Sequence, residues 1–70
     1  MEIIEIGREK SLVSLSRAEL LIVNAALNEI CNGIAVFEFE TRIGADRNYV
    51  ATLLKEFHLL LDEMVLSEKG

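Results

Sequence analysis

The feature that most constrains how this chain can fold is the run Leu20 to Gly33, L-L-I-V-N-A-A-L-N-E-I-C-N-G, its longest apolar segment. At helical spacing Leu20, Val23, Leu27, Ile30 and Ile34 form one stripe, while Leu21, Ile22, Ala25, Ala26 and Cys31 carry apolar surface well beyond it. A helix apolar nearly all round needs cover on more than one side. Just upstream, Ser16-Arg17-Ala18-Glu19 has the form of a capping box, in which the Ser16 hydroxyl accepts from the Glu19 amide and the Glu19 carboxylate accepts from the Ser16 amide. Downstream, Asn32-Gly33 offers residues that tolerate the left-handed backbone of a helix terminator. A helix is expected over residues 17–32.

Cover is scarce in so short a chain. Seventy residues make one domain, residues 1–70. A domain of about 60 residues buries only roughly 60% of its extended-chain surface, so small folds lean on disulfides, a metal or a partner subunit. One cysteine makes no internal disulfide, and Cys31 with His58 is too few soft ligands for a closed zinc site. Oligomerisation remains. A hydrophobic content of 51% points the same way, since this much apolar surface exceeds what one small core absorbs.

The flanking segments complete an α+β plan. Glu2 to Ile6 is rich in β-branched residues, Gly7-Arg8-Glu9-Lys10 suits a reversal, and Ser11 to Leu15 runs apolar again, which predicts a hairpin within residues 2–15. A lone hairpin is marginal in water, so this one should lie against a helix or join a sheet across a subunit boundary. Residues 36–43 are ambiguous. Phe37, Phe39, Thr41 and Ile43 alternate as in a half-buried strand, yet Val36, Phe39 and Ile43 also share a helical face. The bracketing glycines Gly33 and Gly44 lean the reading toward a short helix. Asp46 can cap a last helix over residues 47–66, whose inner face repeats through Val50, Leu53, Leu54, Phe57, Leu60, Leu61, Met64 and Val65. Leu59 falls on its polar side, and Ser67 to Gly70 should fray.

Charge excludes some partners. The net charge is −5, and it is shared, with 3 basic and 5 acidic side chains in residues 1–35 and 4 and 7 in residues 36–70. Neither half has a basic footprint for nucleic acid or an anionic membrane. No apolar run reaches the roughly 18 residues of a membrane span, and Met-Glu-Ile-Ile-Glu lacks the basic start of a signal peptide. With one unpaired thiol, the cytoplasm is the expected compartment.

Reactive constellations are sparse. His58 has Leu54 and Asp62 at helical i±4, and a His58–Asp62 contact reads as a surface pair rather than half of an active site. Cys31 ends an apolar helix beside Asn28, Glu29 and Asn32, without the positive charge or helix N-terminus that activates a thiol, and reads as a small hydrophobe. The acidic pairs Glu38/Glu40 and Asp62/Glu63 lack the convergent ligands of a calcium loop, and no glycine-rich phosphate loop is present. No enzyme, catalytic residue, metal or cofactor is therefore expected.

Two binding readings survive. In the first the chain is a homodimeric protein-interaction module with another protein as partner, and its candidate interface residues are Leu21, Ile22, Asn24, Ala25, Asn28 and Leu59. Asn24 and Asn28, an i, i+4 amide pair, either face water or fix register within a subunit contact. In the second, residues 39–54 form a helix-turn-helix around Gly44, presenting Arg42, Arg47, Asn48, Tyr49, Thr52 and Lys55 to a DNA groove. Against that stand Glu38, Glu40, Asp46 and Glu56, because phosphate contacts supply much of the affinity in such complexes. Nucleic acid is thus the weaker expectation.

The segments L-S-R-A-E-L-L, A-L-N-E-I-C-N-G (Ala26 to Gly33) and F-E-T-R-I-G (Phe39 to Gly44) resemble a family of short bacterial proteins without an established activity, over roughly residues 15–61. The resemblance implies no catalytic residue. It implies structural roles for Asn28, Glu29, Asn32, Gly33, Thr41, Arg42 and Gly44 as caps and turns, with an internal contact at Arg42.

Overall fold

A computed structural model describes residues 1–69, in the order β1 (Glu2–Glu5), β2 (Leu12–Ser14), α1 (Arg17–Asn28), a single wide π turn (Glu29–Gly33), α2 (Phe39–Ile43) and α3 (Arg47–Lys69). This is an α+β fold with a short element between its two main helices. The strands pair antiparallel, Glu2 opposite Ser14, Ile3 opposite Val13 and Glu5 opposite Leu12, with an irregularity between Ile3 and Glu5. At the turn the Gly7 amide donates to the Ser11 hydroxyl at 3.2 Å. A Cβ on Gly7 would stand 2.2 Å from the Lys10 carbonyl oxygen, so the reversal closes only on a residue without a side chain.

Ser16 caps α1 as its sequence predicts. Its hydroxyl accepts from the Glu19 amide at 3.2 Å, and its own amide donates to the Glu19 carboxylate at 2.9 Å. The other end differs from expectation. Gly33 does not take the left-handed conformation; positive φ occurs instead at Glu38 (53°) and Gly44 (90°) among the described residues. The α-helix stops at Asn28, and the next turn widens until the Ile34 amide donates to the Glu29 carbonyl at 2.9 Å, leaving Ile34 extended. A wide turn that satisfies this carbonyl directly needs no left-handed terminator.

Residues 36–43 resolve into α2 over its second half. Glu38 precedes it in left-handed backbone and accepts from the Arg42 amide at 3.0 Å, while Gly44 follows it and donates to the Glu40 carbonyl at 2.8 Å. Asp46 begins α3 as expected, accepting from the Tyr49 amide at 2.8 Å. That helix continues past residue 66 through Ser67 to Lys69, beyond the expected fraying point; Gly70 lies outside the described residues.

The core sits between α1 and α3. Its buried side chains are Leu20 of α1, Phe39 of α2, and Val50 and Leu54 of α3, flanked by half-buried Val23, Leu27, Ile30, Phe57, Leu61 and Met64. Burying a side chain of this size is worth about 1.5–3 kcal/mol, so a core this small leaves little margin. Among the described residues no side chain is completely enclosed. The chain is also open: its radius of gyration is 14.0 Å, against roughly 11 Å for a compact chain of this length. Its accessible surface is 5792 Å², where a compact monomer of 7.9 kDa would show about 4,400 Å².

Candidate functional site

The periodicity of α1 divides it into two apolar faces. Leu20, Val23 and Leu27 turn toward α3, where Leu20 is buried and the other two are half-buried. Ala18, Leu21, Ile22 and Ala25 lie on the opposite side and stay exposed, Leu21 at 50% and Ile22 at 68%. No charged residue interrupts that outward face before Glu29. Leu21, Ile22 and Ala25, the candidate interface residues of this helix, share one open surface.

The amides separate. Asn24 is half-buried at the edge of the inner face, and its Oδ1 is enclosed without a hydrogen-bond partner. Asn28 is exposed, and its Oδ1 accepts from Asn32 Nδ2 at 3.0 Å, one turn along the helix surface. Leu59 does not join Leu21 and Ile22. It projects from the side of α3 that faces away from α1, 61% exposed, seven residues from Leu66 at 67%.

The hairpin is the other exposed apolar element. Ile3, Ile4, Ile6, Leu12 and Val13 are all exposed, Ile6 at 78%. The principal packing joins α1 to α3 and β1 to β2, with the π turn against both helices and no comparable contact between hairpin and helix. The Met1 amino group bonds the Glu19 carboxylate, which holds the hairpin's open end against the first turn of α1. That ammonium and the Ser16 amide together lower the Glu19 pKa from its ordinary 4.5 to about 2.

The residues of the helix-turn-helix reading divide as well. Gly44 supplies a left-handed turn between α2 and α3, and Arg42, Asn48, Tyr49, Thr52 and Lys55 are exposed. Arg47 is engaged within the fold. Its Nη1 donates to the Cys31 carbonyl at 2.8 Å, supplying a partner for a carbonyl of the π turn, and its guanidinium lies 4.6 Å from the centre of the Phe39 ring. Sequence spacing had no signal for this contact, which spans 16 positions. The Thr52 hydroxyl donates back to the Asn48 carbonyl at 3.0 Å.

No group of three or more His, Cys, Asp or Glu side chains able to hold a metal ion occurs among the described residues. Cys31 is a half-buried free thiol, and His58 is exposed. Two depressions among the described residues are shallow. One is lined by Tyr49, Thr52, Leu53 and Glu56, and a second by Glu40, Gly44, Ala45, Asp46 and Tyr49. No described helix is long and apolar enough to cross a membrane. No family model, curated protein or solved structure matches the chain.

Proposed function

We propose that this chain is a non-enzymatic, homodimeric protein-interaction module, working in the cytoplasm, where its single thiol stays reduced. The observation that carries the reading is the area of the chain, 5792 Å² for 7.9 kDa. It exceeds the roughly 4,400 Å² of a compact monomer by about 1,400 Å². Specific interfaces remove roughly 800 Å² per partner, so one dimer contact of standard size would take up more than half of that excess. The exposed Leu21, Ile22 and Ala25 face supports the same reading. Light scattering at micromolar concentration should return twice the chain mass. A monomer with a sharp cooperative melt overturns the proposal.

A second reading rests on Gly44, whose left-handed backbone gives α2 and α3 the turn of a helix-turn-helix. It expects steeply salt-dependent retardation of duplex DNA. The absence of retardation at low salt disposes of it, and the engagement of Arg47 with Cys31 and Phe39 already weighs against it.

A further inference from the structure

We propose that two copies of this chain join by exchanging halves: residues 39–69 of each copy leave their own α1 and pack on the α1 of the other, opening at the connection 34–38. The inference rests on the dimeric reading above and names how the copies hold one another.

The chain divides at this connection, with β1, β2, α1 and the π turn on one side and α2 and α3 on the other. The core is built across the division. Its buried side chains are Leu20 from the first half and Phe39, Val50 and Leu54 from the second. Arg47 also crosses it, reaching back to the Cys31 carbonyl at 2.8 Å. Each of these contacts joins one half to the other, so each is made equally well between two copies. The surface that receives the second copy is then the α1–α3 interface the fold already closes, and the half that fits it is identical to the one it replaces. Exchange of an identical element is for this reason a low-cost route to a dimer.

The connection itself favours opening. Ile34 leaves the π turn in extended backbone (φ −121°, ψ 155°), and four residues later Glu38 enters α2 in left-handed backbone (φ 53°, ψ 52°). A Cβ meets the following carbonyl oxygen in that conformation, which destabilises any residue but glycine there. Gly44, the other left-handed position among the described residues, has no such conflict. Strain therefore collects at Glu38, on the boundary between the halves. When the halves part, Glu38 is free to extend as Ile34 does, and one dimer relieves two strained positions. Short connections under strain invite exchange of this kind.

Two apolar side chains of the connection stand in water in the closed chain, Ile34 at 52% and Phe37 at 76% exposed. In the exchanged dimer both connections pass from one subunit to the other about the two-fold axis, where Ile34 and Phe37 of one copy can meet those of its partner. This contact is absent from the closed chain and removes part of its surplus apolar surface.

The experiment measures the dissociation constant by sedimentation equilibrium for the wild-type chain, Glu38→Gly and Ala35→Gly. Glu38→Gly removes the strain of the closed chain and should weaken the dimer roughly fivefold for each connection, about twenty-fivefold in all. Ala35→Gly places a glycine in the same connection at a residue without positive φ, and should leave the affinity within threefold. Neither residue is buried, so helical circular dichroism should be retained in both. A second measurement needs no variant: equal parts of carbon-13-labelled and unlabelled wild-type chain are mixed in urea and refolded together. Nuclear Overhauser contacts between α1 and α3 should then run from labelled to unlabelled chains. A wild-type dimer whose α1–α3 contacts stay within one chain, or whose affinity is unchanged in Glu38→Gly, overturns the exchange and leaves the dimeric reading standing. A wild-type monomer overturns both.

Discussion

Replacing Asn24 by Leu should stabilise the protein, against the usual trend for point substitutions. The Asn24 Oδ1 is enclosed and unpartnered, and an amide oxygen in that state costs about 1–3 kcal/mol in lost hydration. Its helical neighbours on the inner face are Leu20 at i−4 and Leu27 at i+3, so a leucine meets apolar surface. Helix propensity adds a few tenths of a kcal/mol, since Leu ranks above Asn. The expected gain is about 1.5–3 kcal/mol, and in a domain this small each kcal/mol moves Tm by roughly 4–8 °C. Asn28→Leu is the control: it takes the same propensity change at an exposed position and gives up the bond from Asn32, for a net effect near zero. Urea and thermal unfolding at one fixed chain concentration measure both. If Asn24→Leu gains no more than Asn28→Leu, the oxygen is not an unpaired buried acceptor and the reasoning fails. Light scattering on the same samples separates a second role, because an amide that fixes register would, once removed, admit additional assembly states.

Three further outcomes follow from single contacts. Arg47→Met should cost about 1–3 kcal/mol, the sum of a charge-assisted bond to the Cys31 carbonyl and a cation–π contact with Phe39; unchanged urea stability would show that the π turn does not depend on it. Gly44→Ala should cost about 1–2 kcal/mol purely through its φ of 90°, because a Cβ there meets nothing within 4 Å; a neutral result in chemical denaturation would mean that the turn relaxes. Glu19 has its pKa lowered to about 2, chiefly by the Met1 ammonium and then by the Ser16 amide, so its stabilisation is present above about pH 4.5 and is lost as pH falls toward 2. Glu19→Gln should flatten the stability–pH curve over that window, and an unchanged slope would refute the assignment.

Much of the fold was legible from local rules, because the forces that set it act within a few residues. The Ser16–Glu19 capping box and the Asp46 cap are side chains bonding amides three residues away, and both occur where the sequence places them. The hairpin and both long helices follow from apolar period and turn residues, whereas between the helices the period fits strand and helix alike and only the bracketing Gly33 and Gly44 lean toward the short helix. Of the candidate surface, Leu21, Ile22 and Ala25 could be read from the excess width of the α1 stripe, and the structure leaves all three exposed on one face.

Other features depended on residues distant in the chain. Asn32-Gly33 carries a good terminator signal, yet α1 closes through a π turn whose Cys31 carbonyl is met by Arg47, and no local pattern encodes a partner 16 positions away. Left-handed backbone occurs instead at Glu38, a residue with no intrinsic preference for it, immediately before the buried Phe39. Leu59 and Leu21 are equally apolar in sequence. Only the packing of α1 on α3 decided that they face opposite sides. The run Leu20 to Gly33 therefore determined that two faces needed cover, because its apolar residues exceed one helical stripe. Which of them closed the core and which stayed open was a tertiary decision: the Val50–Leu54 face of α3 can take only one side of α1, and the hairpin packs chiefly strand on strand, leaving the other side exposed.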